Sequence, residues 1–337
     1  MIREAIQAVV SGKSLTMEEA AQVMDEIMEG QVTPAQFGAF VTALRLKGET
    51  VDEIAGMART MRAKAIRVNI AEPVIDIVGT GGDGLNTFNI STAAAFVVAG
   101  AGLKVAKHGN RAASSQCGSA DVLEALSVKF NLNAEQVQRC IQEVGIGFMF
   151  AQSFHPAMKF AGPLRKEIGI RTVFNILGPL TNPAFATHFL LGVADEALVE
   201  KMALVLKSLG CEHALVVHGE DGLDEITVSG PSQVCELKDG KIKKYAISPE
   251  DFGLPKADLD RLRGGTAEQN AVLLRSVLSG VTGPQLDAVL MNSAAALVAG
   301  DKAETLKEGI EIARQSLGSG QALAKLDQLV KLSNSFT

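Results

Sequence analysis

The chain has 337 residues, of which 47% are hydrophobic, enough for a sizeable core in two domains or one large α/β unit. A formal net charge of −6 excludes a broad basic surface for nucleic acid and leaves room for a local anion site. Cys117, Cys140, Cys211 and Cys235 lie far apart with no C-x-x-C, which argues against a zinc site or a disulfide framework.

The first 65 residues read as helices only. Capping boxes mark three helix starts, at Thr16 with Glu19, Thr33 with Gln36, and Thr50 with Glu53. Pro34 suits a first helical position, and Gly30 and Gly48 fall where helices should stop. Val23, Met24, Ile27 and Met28 keep helical spacing, as do Phe37, Phe40, Val41 and Leu44. MIREAIQAVVSGK lacks the apolar core of a signal peptide, and no apolar run reaches the length of a membrane span. A reduced, cytoplasmic setting is the expectation.

From Pro73 short apolar runs alternate with helical stretches. VIDIV (74–78), LKVAK (103–107), HFLLGVA (188–194), HALVVHG (213–219) and EITVSG (225–230) read as strands, and TAAAFVVAG reads as a helix ending at Gly100. This βαβ rhythm predicts a mainly parallel sheet covered by helices. The Asp-Gly turn in SQVCELKDGKIKKYAI predicts a hairpin, and the chain from Thr266 is helical again. The expected fold class is therefore α/β: a small all-helical N-terminal domain (1–70) and a large α/β domain with a mainly parallel central sheet.

Four stretches carry chemistry. GTGGDGLNTFN (79–89) opens with G-x-G-x-x-G, the dinucleotide fingerprint. The acid expected about 20 residues on is missing, since Lys104 and Lys107 stand there. Leu85 occupies the Walker A lysine position. Glycine amides, Ser91, Thr92 and a helix start suit an anion, while Asp83 suits hydroxyls or a metal-bound group. Together they describe a sugar-phosphate ligand; the alternative is a tight strand–helix turn with a chance Asp. KHGNRAASSQCGSADVLEAL (107–126) follows the next strand with cations at Lys107 and Arg111, and donors at Asn110, Ser114, Ser115 and Ser119. Gly109 and Gly118 permit close approach, and Asp121 is a plausible cap of the following helix. Asp224 and Glu225, in HGEDGLDEITV, can share one cation or its water shell, or form a solvated acidic turn. In 155–184, Arg165 could grip a carboxylate; it could equally be a surface arginine, and His155 a helix cap.

The GTGGD loop with TFNIST, KHGNRAASS, HPAMK, FNILGPLTNPA and DGLDE, in that order, resemble the motifs of the anthranilate phosphoribosyltransferase family, as does GTAEQNA (265–271). The resemblance spans essentially the whole chain. It implies that residues 163–185 return to the small domain, leaving 71–162 and 186–337 as the large one, and that the chain forms a homodimer through its small domains. It implies phosphoribosyl diphosphate at Gly79, Gly82, Asp83, Thr87, Asn89, Ile90, Ser91, Thr92, Lys107, His108, Gly109, Asn110, Arg111, Ala112, Ala113, Ser114, Ser115 and Ser119. Anthranilate would meet Gly79, Asn110 and Arg165, with His108, His155 and Met158 nearby. Magnesium, plausibly two ions, would sit at Ser91, Asp224 and Glu225. Lys107 and Arg165 would act by electrostatic positioning, with no nucleophile or general base. The family pattern leads one to expect proline where Gln152 stands and glycine where Ser127 stands, positions expected to affect local loop shape only. Pyrimidine nucleoside phosphorylases and non-enzymatic, nucleic-acid-binding relatives share the fold; Arg165 and the KHGNR run speak against the first, and the net charge and acidic pair against the second. No nucleic acid or membrane partner is expected, and association with anthranilate synthase is left open.

Overall fold

The computed structural model describes residues 1–112 and 116–336. Four helices open the chain: α1 (Ile2–Val10), α2 (Met17–Met28), α3 (Pro34–Lys47) and α4 (Val51–Ala63). All three expected capping boxes form, at Thr16, Thr33 and Thr50. That of α4 also has a tertiary role. Glu53 is buried, and its carboxylate accepts the Thr50 and Leu15 amides and the Lys47 ammonium, at 2.7, 2.9 and 2.9 Å. One cap thus fastens the turn before α2 and the end of α3 to the start of α4. A buried carboxylate is tolerated here because several donors replace the water it loses.

The large sheet has the order β3-β2-β1-β4-β5-β6-β7. Its strands are β1 (Ile75–Gly79), β2 (Val105–Gly109), β3 (Ile146–Phe150), β4 (His188–Gly192), β5 (His213–Gly219), β6 (Ser232–Lys238) and β7 (Lys241–Ile247). The first five in chain order run parallel, and β6 and β7 add an antiparallel hairpin through Asp239-Gly240. Both turn residues have positive φ (49° and 71°), as a two-residue hairpin turn demands. The central strands are buried on both faces, hence their near-continuous apolar composition. Helices α5 (Ile90–Gly100), α6 (Ser119–Ala125), α7 (Ala134–Arg139), α8 (Ala151–Phe154), α9 (Met158–Ile168), α10 (Phe174–Leu177) and α11 (Leu198–Ser208) lie between strands. Helices α12 (Ala267–Leu278), α13 (Pro284–Ala299), α14 (Leu306–Gly318) and α15 (Gln321–Ser335) finish the chain, with α5, α13, α14 and α15 packed on one another. α9 packs on α2 and α3.

One strand expectation needs correction, and one strand was not expected. Residues 225–230 form no strand, because side chains rather than a neighbouring strand satisfy their backbone. Asn292 takes both the amide and the carbonyl of Ile226 (both 3.0 Å), and Ser232 Oγ takes the Thr227 amide at 3.0 Å. Conversely, the short apolar run IGFMF is β3, fully buried and unmarked by any alternation. Asp121 is not the residue that caps α6 from outside. It is the third residue within the helix and accepts the Gly118 amide at 2.9 Å.

Ser127 adopts φ 66°, the left-handed region where a side chain is strained and glycine is not. The residue departing from the family pattern therefore stands where backbone geometry favours glycine. Ser127→Gly should raise unfolding free energy by about 0.5–1 kcal/mol, read as a higher denaturation midpoint at unchanged slope.

Candidate active site

The strand order reverses between β1 and β4, and in open α/β sheets ligands bind outside the carboxyl ends of strands at such a point. Here the two strands end on a glycine pair, Gly79 opposite Gly192. Asp224 fills the space both leave. A Cβ on Gly79 would run into its carboxylate, and one on Gly192 into its main-chain carbonyl. The Asp224 carboxylate accepts the Gly81 amide at 2.7 Å, and Glu225 accepts the Ser91 amide at 3.1 Å. The acidic pair thus joins the glycine loop and the start of α5 across more than 130 residues of sequence.

These carboxylates are crowded. Asp224 is held well above the usual carboxylate range by burial and then by the charge of Asp83; Glu225 is raised by burial and then by Asp224. Hard oxygen donors raised by burial and then by one another's charge, beside the Ser91 hydroxyl, fit a divalent cation such as magnesium. Among the described residues, no three His, Cys, Asp or Glu side chains converge closely enough to hold an ion alone. Any ion here must draw further ligands from substrate oxygens or water.

Lys107 is buried in the middle of β2, its Nζ donating to the Ile77 carbonyl at 2.6 Å and to Ser91 Oγ at 3.3 Å. Burial lowers its pKa, opposed by the charges of Asp76 and Glu225. Asp76, a lone carboxylate within β1, accepts the His108 amide at 3.2 Å and Asn182 Nδ2 at 2.7 Å. Burial pushes Asp76 up to about 6, with Lys107 pulling the other way. Asp76 and Asn182 were missed in the sequence; an acid inside a strand otherwise made of Val and Ile is the signal that marks the first.

The glycine loop is backed from far along the chain. Thr87 bridges Arg263, the Phe88 amide donates to the Leu262 carbonyl, and the Gly264 amide donates to the Asn86 carbonyl, both at 2.9 Å. Asn270 Nδ2 donates to Asn89 Oδ1 at 3.0 Å, while Asn89 Nδ2 holds the Cys117 carbonyl at 3.1 Å. The Asn89 side chain therefore ties the glycine loop to both the 265–271 stretch and the second loop. Ile90 opens α5 and is buried; the Thr92 hydroxyl is buried without a partner.

In the second loop the Ala112 amide and the Gly118 amide share Asp121 Oδ2, each at 2.9 Å, and Ser119 Oγ donates to the Asn110 carbonyl at 3.3 Å. The structure does not offer the Arg111 guanidinium as a free cation. It pairs with Asp121 and Glu124, both at 2.8 Å. Asn110 is exposed, and Gln152 Nε2 lies 3.4 Å from its Oδ1, so this departure touches a proposed substrate contact as well as loop shape. Ala113, Ser114 and Ser115 lie outside the described residues.

Arg165 is half-buried on α9, its guanidinium 5.4 Å from the centre of the Phe174 ring, and no carboxylate pairs with it among the described residues. Burial lowers its pKa. Nearby in sequence, His155 and the half-buried Met158 frame the start of α9. His155 and His108 are buried with ring centres 5.1 Å apart. His108 Nδ1 meets the Gly178 carbonyl at 3.2 Å; its Nε2 and both ring nitrogens of His155 have no hydrogen-bond partner among the described residues. Burial pushes the two rings down to about 3 and about 4, so they form a neutral wall.

Sheet order and helical bundle together define a class. The chain matches the glycosyl transferase family, a/b domain, over residues 71–323 and the glycosyl transferase family, helical bundle domain, over residues 3–65. The anthranilate phosphoribosyltransferase of Dehalococcoides mccartyi is 61% identical over 337 residues, 99% of each chain. The crystal structure of anthranilate phosphoribosyltransferase from Thermus thermophilus superposes with a TM-score of 0.93 at 47% identity, over 98% of this chain and 99% of that one. The Saccharomyces cerevisiae enzyme, in complex with PRPP and Mg, gives a TM-score of 0.91 at 30% identity, over 99% and 98%. The chain belongs to the anthranilate phosphoribosyltransferase family.

The histidine wall has a pH signature. His155 keeps its folded-state pKa near 4 against 6.5 for the free side chain, so only the unfolded chain takes up its proton as pH falls below 6.5. The stability associated with a neutral His155 is lost as pH drops from 6.5 toward 4. His155→Asn should therefore lose less stability than the parent between pH 7.5 and pH 5, by about 2 kcal/mol at most. Urea midpoints of the two proteins at both pH values check this.

Proposed function

We propose that the chain transfers the phosphoribosyl group of phosphoribosyl diphosphate to the amine of anthranilate, giving N-(5-phosphoribosyl)anthranilate and pyrophosphate in tryptophan biosynthesis. The observation that carries this reading is the arrangement at the end of β1 and β4: a glycine loop, the acidic pair Asp224 and Glu225, and buried Lys107 within one hydrogen-bonded unit. The glycine-loop amides and Lys107 hold anionic oxygens. Asp224 and Glu225, with Ser91, would hold magnesium, two ions on our reading. When bound, the ion supplies positive charge to the departing diphosphate. As the bond from ribose C1 to that diphosphate breaks, C1 gains cationic character, the amine nitrogen bonds to it, and the nitrogen's proton leaves to solvent or to the departing diphosphate. The protein's task is positioning and electrostatic stabilisation.

Arg165, free of any carboxylate partner in the described residues, is suited to the carboxylate of the aromatic acid. The neutral rings of His108 and His155 suit the passage of an aromatic body beside it. Ala113, Ser114 and Ser115 stay in the proposed diphosphate loop on the strength of resemblance. Arg111 we assign there through its backbone rather than its charge. The small domain comprises residues 1–70 with 163–185 returning to it, in keeping with the packing of α9 on α2 and α3. A homodimer through the small domains is supported by exposed Val10 and Leu46, 68% and 83% accessible on α1 and α3. No helix among the described residues is long and apolar enough to cross a membrane, in keeping with the cytoplasmic setting that we also propose.

Incubating the protein with anthranilate, phosphoribosyl diphosphate and magnesium should consume the intrinsic fluorescence of anthranilate; no loss with folded protein at saturating substrates sinks the reading, and phosphorolysis of thymidine would replace it with the phosphorylase alternative. Arg165→Ala should raise the KM for anthranilate by about tenfold or more, with a much smaller effect on that for the diphosphate. Steady-state kinetics with each substrate varied in turn will rank the two effects, and the reverse ranking removes Arg165 from its role.

A further inference from the structure

Residues 169–173 connect α9 to α10, and Arg171 in this connector reaches the glycine loop. Its Nη2 donates to the Gly81 carbonyl at 3.0 Å, from 90 residues away in sequence. Its Nη1 occupies the space that a Cβ on Gly82 would need. Gly82 also has φ +80°, so that position excludes a side chain both for backbone geometry and for the guanidinium lying against it.

The contact is unusual in its charge balance. Arg171 is exposed, and among the described residues its guanidinium meets a carbonyl and no carboxylate. Of the other arginines at the site, Arg111 is fully engaged by Asp121 and Glu124, and Arg165 lies against the Phe174 ring. A guanidinium has five donors in a planar fork, and one backbone carbonyl uses few of them. Its free donors therefore stand over a loop whose glycines already suit close approach of a polyanion.

We propose that Arg171 is a further substrate-binding residue, which grips the diphosphate of the sugar donor from the connector side and holds that connector against the glycine loop. The assignment rests on the reading of the glycine loop as a diphosphate site. The connector follows directly from α9, which carries Arg165. Engagement of Arg171 by the donor thus fixes the chain just beyond the C-terminal end of the helix that bears the acceptor's arginine. The chemistry recognised is a diphosphate, free or esterified; the bidentate fork matches its oxygens in a way that an ammonium cannot.

The test uses the full chain in three forms: the parent, Arg171→Gln and Arg171→Lys. Magnesium-dependent binding of inorganic pyrophosphate and of phosphoribosyl diphosphate is measured by calorimetry, beside both KM values and the melting temperature. R171Q should bind both diphosphates about tenfold more weakly or worse, R171K should recover part of the loss, and KM for anthranilate at saturating donor should stay within about twofold. The melting temperature should not move, because the side chain is exposed. Unchanged diphosphate affinity in R171Q overturns the assignment. So does an equal loss toward both substrates with a lowered melting temperature and no recovery by lysine, which would mark a hinge strut. Pyrophosphate binding needs no turnover, so failure of the parent to consume anthranilate counts against the proposed reaction and leaves this assignment to stand or fall on its own binding data.

Discussion

Asp224 against the glycine pair Gly79–Gly192 is the contact on which the site depends. Two parallel strands can end at a topological switch point in many ways; here both end without side chains, and the vacated space receives a residue from a distant loop. Seating Asp224 there places its carboxylate on the Gly81 amide and sets Glu225 on the Ser91 amide. The loop that precedes α5 and the loop that follows β5 then behave as one unit. Neither glycine can gain even a methyl group without moving Asp224, so the geometry of the acidic pair is set by backbone packing, the least adjustable element of a protein interior.

Charge is distributed around this contact in a definite order. Carboxylates that repel one another lie beside Lys107, which is itself buried and bound to a strand carbonyl and to Ser91. Behind Lys107, Asp76 and Asn182 lock β1 to the segment following α10, with Asn182 also holding the Ala106 carbonyl at 2.8 Å. His108, next to Lys107 in β2, and His155 contribute rings without charge. On the proposed function, the charged groups would serve the diphosphate and the uncharged rings the aromatic amine.

The helical N-terminus was legible because its signals are local: a threonine and, three residues later, its Glu or Gln partner decide where each helix starts. Four of the five parallel strands were legible for a similar reason, as apolar runs between turns. β3 escaped because a buried five-residue run carries no periodicity, and 225–230 misled because Asn292, over sixty residues on, satisfies a backbone that looks extended in composition. At the site, the acidic pair and Lys107 announce themselves by residue type. Gly192 and Asn270 do not, since each matters through a contact that only the tertiary structure creates. Arg111 shows the opposite error: a cation in the right stretch whose charge is taken up by Asp121 and Glu124, which the same stretch also encodes.

The wall behind the glycine loop links function to the order in which the chain is made. Residues 86–89 take their hydrogen bonds from Leu262, Arg263, Gly264 and Asn270. A ribosome that has completed the glycine loop, α5 and even the acidic pair has still to synthesise this support. A nascent chain emerging up to β7 therefore carries the glycine loop without the partners that fix its backbone. On the proposed function, substrate bound at this loop would stabilise the domain only after residues 262–270 have been made.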